Sequence, residues 1–345
     1  MYDLIIAGSG PSGLAAALAA RQHGLDYLVI ERGVIANTLY HYPIARPLFS
    51  TADEVELLPG GLRAGTKPTR EEVLTHYTDV VASESIRIRT GEAVRRIGHT
   101  DEGFLVETDR EPYTARTVLV ATGGFGRKRK LNIPGEDGDF AQGSRVSYSF
   151  SEAHPYAMKR VLVVGGGNSA AEAALFLFEA GASVTLLVRR PSLDLEPDAN
   201  SGADDFVHDS VVRAAIKPWV REPLERAIAE GLIELFTSSQ VMEILPRSAV
   251  ISVTRGGKEE RVEIECDHVF ALIGADPDTR LLEDAGVEIA VDGRPAYDPD
   301  TYETNIKGLY VAGHVTRELH MKSAMRVARK AVARIASQVL TESVT

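Results

Sequence analysis

Two glycine-rich turns hold the residues whose types and spacing point to chemistry. In Gly8-Ser9-Gly10-Pro11-Ser12-Gly13 the first glycine permits a tight strand exit, the second lets a pyrophosphate approach the backbone, and the third lets a helix pack closely on the strand. The helix N-terminus adds free N–H donors and a partial positive charge. Glu31 ends the next apolar run, placed to accept hydrogen bonds from a ribose diol; the bland alternative is a surface acid. Gly165-Gly166-Gly167-Asn168-Ser169-Ala170 repeats the arrangement with Ala in the third position, which the packing role tolerates. Its second strand ends in Arg189 and Arg190 rather than an acid. Two guanidiniums would bind a 2′-phosphate through charge-assisted, bidentate hydrogen bonds, which favours NADPH over NADH; otherwise they are exposed strand-end charges. Two dinucleotide sites in one chain imply a hydride relay, because a flavin accepts two electrons from nicotinamide and passes them on together or singly.

The surrounding pattern supplies the elements these turns need. Leu4, Ile5 and Ile6 run into Gly8, an Ala-rich helix ends near Gly24, and Tyr27 to Ile30 form the next strand. Val161 to Val164, a helix through Ala170 to Ala180, and Val184 to Val188 make a second βαβ unit. Between them, Pro43, Pro47, Pro59, Gly60, Gly61 and Pro68 suit surface loops. A helix is expected from Thr69, with Glu71 and Glu72 in its first turn. The stretch Gly123 to Gly138 has linker composition, and Gly274 to Pro277 makes a second hinge. The expected organisation is α/β, with two Rossmann-like three-layer nucleotide-binding domains. The second, 126–272 and NADPH-binding, is inserted in the first, 1–125 with 273–345 and FAD-binding.

Bulk properties narrow the function classes. The 345 residues exceed one usual core. A formal charge of −11 argues against nucleic acid as a main partner, which needs a basic footprint. Arg127, Lys128, Arg129 and Lys130 form a basic run, read either as a solvated connection or as a docking face for an acidic electron-transfer partner. No run approaches the about 18 apolar residues of a membrane span. The start lacks the basic region of a signal peptide, so the cytoplasm is the expected location. Cys266 is the sole cysteine, which rules out an internal disulfide or a CxxC pair.

Taken together, the chain resembles the thioredoxin-reductase-like family of pyridine nucleotide:flavin oxidoreductases. Val118-Leu119-Val120-Ala121-Thr122-Gly123 is similar to the family's strand and ATG turn beside FAD, and Gly308-Leu309-Tyr310-Val311-Ala312-Gly313 to its C-terminal flavin strand. Within the family, the resemblance is to the bacillithiol-disulfide-reductase-like branch. It is carried by Leu39-Tyr40-His41-Tyr42-Pro43, Lys67-Pro68, Ser151-Glu152-Ala153-His154-Pro155-Tyr156, Ile216-Lys217-Pro218-Trp219 and Tyr302-Glu303-Thr304-Asn305-Ile306. The resemblance implies NADPH-dependent reduction of a low-molecular-weight disulfide and a homodimer. It places Arg32, Tyr42, Val94, Ala121, Thr122, Gly123, Gly313 and His314 with the first turn at FAD, and Gly274 with the second at NADPH. Lys217 and Trp219 are read either as lining the nicotinamide or substrate side or as loop anchors.

The chain departs from that branch at Ser12, where the resemblance implies a cysteine, and a hydroxyl forms no mixed disulfide. Cys266 lies in an alternating run and reads as a packed strand residue rather than a substitute. Gly313-His314 stands where thioredoxin reductases carry Gly-Asp. His314 is the candidate general acid at the flavin, with cofactor contact or packing as the alternative. The electron acceptor is expected to be a small molecule or a small redox protein. Alternatives to direct flavin-to-acceptor transfer are ferredoxin or flavodoxin–NADP reductase activity, flavin monooxygenase activity, and a non-catalytic nucleotide-sensing flavoprotein.

Overall fold

A computed structural model describes residues 1–138, 144–193, 216–318 and 320–342. The chain divides into two compact units, Met1–Arg127 with Ala275–Thr345, and Lys128–Gly274.

In the first unit, β1 (Tyr2–Ala7), α1 (Pro11–Gln22) and β2 (Tyr27–Glu31) form a parallel βαβ hairpin with Leu4 opposite Tyr27 and Ala7 opposite Ile30. All five β2 residues are buried, as expected of a strand covered on both faces. Alternation divides β1: Leu4 and Ile6 point into the core under α1, and Ile5 into the core on the opposite face. The helix stays close to the sheet because its inner surface is alanine, with Ala15, Ala16 and Ala17 fully buried.

The sheet runs β3 (Ile88–Thr90), β2, β1, β6 (Tyr113–Val120), β5 (Gly103–Thr108), β4 (Val94–Thr100). The last three strands pair antiparallel, and the strand Leu309–Val311 pairs parallel with the C-terminal half of β6. The helix Arg70–Ser83 starts where the sequence places it. Thr69 closes a capping box with Glu72, which satisfies two orphan N–H groups at once. The C-terminal helix Met321–Glu342 buries Met325, Ala328, Val332 and Ile335 in the same core as α1.

The second unit repeats the plan. Its parallel sheet runs β10 (Ile233–Phe236), β9 (Ser183–Leu187), β8 (Arg160–Val164), β14 (His268–Ala271), β7 (Val146–Ser147). Helices α2 (Asn168–Glu179) and α3 (Pro218–Ala229) cover one face. The antiparallel strands β11 (Ser239–Ile244), β12 (Ser248–Arg255) and β13 (Lys258–Glu265) share a core with the other. Each unit is therefore a Rossmann-like α/β layer arrangement.

Cys266 sits in that second core, 1% exposed, with the Arg145 guanidinium donating toward its sulfur at 3.5 Å. Burial pushes its thiol up, against the opposing pull of Arg145. A buried, protonated thiol is inert; the residue is packed as expected, but in the link between β13 and β14 rather than within a strand.

Candidate functional site

The first glycine turn emerges from the C-terminal end of β1, and its glycines differ in what surrounds them. Gly8 has φ +111°, and a Cβ there would lie 2.5 Å from the Ala121 carbonyl oxygen. A Cβ on Gly13 would overlap the Gly8 carbonyl. These two positions are glycine because backbone crosses backbone. Gly10 is different: its φ is −67°, and a Cβ there would meet nothing within 4 Å. Gly10 is also the N-cap of α1 without any side-chain cap. Pro11 follows with no N–H, so the first-turn N–H groups of Ser12 and Gly13 have no capping oxygen. An open cradle over an uncapped helix N-terminus fits a pyrophosphate.

Ser12 faces the second wall of this cradle. It is 6% exposed, and a Cβ on Gly313 would lie 2.6 Å from its Oγ. Its hydroxyl has no hydrogen-bond partner among the described residues, and an orphan hydroxyl of this kind suits a polar ligand group. Ala121 donates its N–H to Ala7 O at 2.8 Å, and Ala312 to Val120 O at 3.0 Å. Gly8–Gly13, Ala121–Gly123 and Gly313 thus converge at the C-terminal ends of parallel strands, where α/β sheets bind ligands.

Glu31 is buried and already occupied. Its Oε2 accepts from Ser9 N at 2.9 Å and Ser9 Oγ at 3.1 Å, and its Oε1 from Gly33 N at 2.8 Å. The carboxylate ties the first turn to the turn after β2, with about one of its four lone-pair directions left for a ribose hydroxyl. Gly91 N to Gly33 O and Glu92 N to Glu31 O, each 2.9 Å, bring in the turn that leads to Val94. Arg32 is exposed. Tyr42 is half-buried, its ring 4.9 Å from the buried Arg46 guanidinium. The His314 ring stands edge-on to Phe125 at 6.0 Å, and its carbonyl accepts from Arg294 Nη1 at 2.7 Å.

The second turn reproduces the division of labour. A Cβ on Gly165, at φ +146°, would overlap the Leu272 carbonyl and come within 3.0 Å of the Ala170 Cβ. Gly167 caps α2 with nothing within 4 Å of its Cβ direction. The two arginines part company. Arg190 folds back over the turn, its Nη2 donating to Gly166 O, while Arg189 is exposed, as is Ser169. Asn168 Oδ1 accepts from Lys217 N at 2.8 Å, so the side chain assigned to the nucleotide also ties α2 to the N-cap of α3. Trp219 is 48% exposed. Gly274, at φ +103°, accepts from Arg129 N at 3.1 Å, and the Arg129 guanidinium lies 3.5 Å from its Cβ direction.

The basic run is therefore divided among partners: Arg129 lies along Gly274, while Lys130 pairs with Asp137 at 2.8 Å and lies over the Tyr148 ring. Sequence reasoning missed Arg294 behind Gly313. It named Arg129 only within the basic run and Lys217 only as a lining or anchoring residue, and their partners beside the second turn were not visible to it. Among the described residues, no group of three His, Cys, Asp or Glu is placed to hold a metal, and no helix is long and apolar enough to cross a membrane.

The sequence pattern of the pyridine nucleotide-disulphide oxidoreductase family matches residues 5–313. The chain belongs to that family. It is 35% identical over 312 residues to bacilliredoxin reductase Bdr of Bacillus subtilis (strain 168), covering 90% of this chain and 88% of the relative. A ferredoxin–NADP reductase of Ignicoccus hospitalis is 28% identical, over 92% of this chain and 90% of that protein. Among solved structures, bacillithiol disulfide reductase Bdr (YpdA) from Bacillus cereus superposes with a TM-score of 0.85 at 32% identity, covering 98% of this chain and 99% of the other. Family membership makes the chain a flavin oxidoreductase and implies a flavin and a nicotinamide cofactor, as the two cradles suit.

Proposed function

We propose that this protein binds FAD at Gly8–Gly13 and NADPH at Gly165–Ala170, and passes hydride equivalents from NADPH through FAD to a small acceptor without a thiol relay in the same chain. The observation that carries the reading is the duplicated cradle, one followed by the acid Glu31 and the other by Arg190 lying over its glycines. When bound, FAD supplies two-electron chemistry. The chain's own residues hold and orient: Ser12 and Gly13 offer N–H groups to phosphate, Glu31 fixes the turn, and the Gly313 turn closes the opposite wall.

A low-molecular-weight disulfide is the acceptor class favoured by similarity to the Bacillus reductases. Ser12 cannot form a mixed disulfide, and Cys266 is buried in a different unit, so this acceptor must take electrons directly from the flavin. The ferredoxin reading, which the lack of a cysteine at the first turn also fits, would use the basic run as a docking face; pairing with Asp137 engages one of its four cations, Lys130. Cytoplasmic location and a homodimer complete the reading. Anaerobic stopped-flow reduction with NADPH and NADH, followed by oxidation with bacillithiol disulfide, a quinone or ferredoxin, tests it. Slow bleaching of the flavin by NADPH refutes the input half, and rapid reoxidation by ferredoxin alone refutes the acceptor.

A further inference from the structure

The turn Gly313–Thr316 is gripped from behind by a residue that no motif contains. Arg294 Nη1 donates to His314 O at 2.7 Å and also to Thr316 O. Thr316 folds back on Gly313 O through its N–H at 2.9 Å and its Oγ1 at 2.7 Å. All three of these carbonyls are thereby fixed. Arg294 arrives on a tight loop, with Ala290 N donating to Arg294 O at 2.8 Å and Gly293 N to Ala290 O at 2.9 Å. The same loop reinforces the grip through Asp292, which pairs with Arg317 at 2.9 Å.

Two physical consequences follow. A trans peptide points its C=O and N–H in opposite directions, so drawing the His314 and Thr316 carbonyls toward Arg294 turns the next N–H groups, those of Val315 and Arg317, away from it. Gly313, at the head of this turn, meets Ser12 at the wall of the flavin cradle. Second, Arg294 is half-buried and makes no ion pair with a carboxylate among the described residues. Burial holds its guanidinium below the ordinary value, the expected sign for a cation not fully compensated.

We infer that Arg294 is a positioning residue for the flavin: it fixes the Gly313–Thr316 turn against the cofactor, and its charge favours the reduced, negatively charged flavin over the oxidised one. This rests on the assignment of FAD to the Gly8 cradle. The nearby acids Asp292 and Asp276 temper the effect and Arg317 adds to it.

The test uses FAD-loaded wild type, Arg294→Gln and Arg294→Lys, with the flavin midpoint potential measured by anaerobic dye equilibration and FAD release followed by fluorescence. Arg294→Gln is expected to lower the potential by about 30 mV or more, equivalent to a tenfold loss of preference for reduced flavin in a two-electron couple. It should also release FAD several-fold faster. Arg294→Lys, which keeps charge but replaces the rigid planar Nη1 donor with a shorter, freely rotating ammonium, is expected to recover most of the potential while still releasing FAD faster. An unchanged potential and release rate in Arg294→Gln overturns the inference, and so does a lower melting temperature with an unchanged potential. If Arg294→Gln does not retain FAD, Arg294→Lys decides: wild-type potential and release together overturn the inference. Failure of the wild type itself to take up FAD refutes the cofactor assignment instead.

Discussion

Replacing Gly10 with alanine separates folding from cofactor binding at one atom. Gly10 has φ −67°, which any L-residue adopts, and its Cβ would meet nothing within 4 Å. Alanine should therefore leave the apoprotein as stable as before, or about 0.4–1 kcal/mol more stable through the unfolded chain. The same methyl projects into the open side of the cradle, where a pyrophosphate must approach the N–H groups of Ser12 and Gly13. Loss of charge-assisted hydrogen bonds costs about 1.5–3 kcal/mol, or roughly ten- to a hundredfold in FAD affinity. At free FAD about a hundredfold above the wild-type dissociation constant, bound cofactor stabilises by about 2.7 kcal/mol; a hundredfold weaker variant keeps only about 0.4. For a unit of about 200 residues this difference lowers the holoprotein melting temperature by about 5–9 °C. Gly13→Ala is the contrast, because its Cβ overlaps the Gly8 carbonyl, and it should destabilise even the apoprotein by about 1–3 kcal/mol. The assay is thermal melting of both variants with and without FAD, alongside fluorescence titration. Wild-type FAD affinity in a folded Gly10→Ala protein would falsify the cradle.

The remaining expectations are shorter. Arg190→Ala should reduce the preference for NADPH over NADH about ten- to a hundredfold, with NADH affinity little changed; equal losses for both nucleotides would assign Arg190 to the Gly166 turn alone. Asn168→Ala, by contrast, should weaken NADP+ and NAD+ binding equally, because its Oδ1 ties the start of α2 to the Lys217 N–H; a loss confined to NADP+ in equilibrium titrations refutes this. The Cys266 thiol should resist a thiol reagent at pH 7 in the native protein and react fully in denaturant, since it is buried and its pKa is raised; fast native labelling sinks the claim that it is inert. Burial and the charges of Arg145 and Lys159 push His268 down to about 4. Because its folded value is below the ordinary 6.5, the unfolded chain binds the proton first. Its contribution is complete above pH 6.5 and is lost as pH falls from there toward about 4. Melting temperatures of wild type and His268→Gln should converge across that window, and parallel curves would refute the assignment.

What the amino-acid order determined by itself is local. A glycine at φ +111° or +146°, an alanine-lined helix, a capping box of Thr69 with Glu72, and runs of buried β-strand are consequences of a few adjacent residues, so both βαβ units and their cradles are legible without a fold. For Cys266 the sequence marked the burial but not the element: it packs in the core, in the link between β13 and β14 rather than within a strand. Tertiary structure decided which of several chemically capable side chains were already engaged. Glu31 spends its carboxylate on Ser9 and Gly33, Asn168 on the Lys217 backbone, and Lys130 on Asp137. Arg189 and Arg190, adjacent in sequence, separate into solvent and turn. Ser12 meets Gly313, and Arg294 reaches the turn beyond it, only because strands far apart in the chain end at one edge of one sheet. Spacing encodes backbone conformation over a few residues. Hydrogen-bond partners across a sheet depend on how distant segments pack, which no short pattern contains.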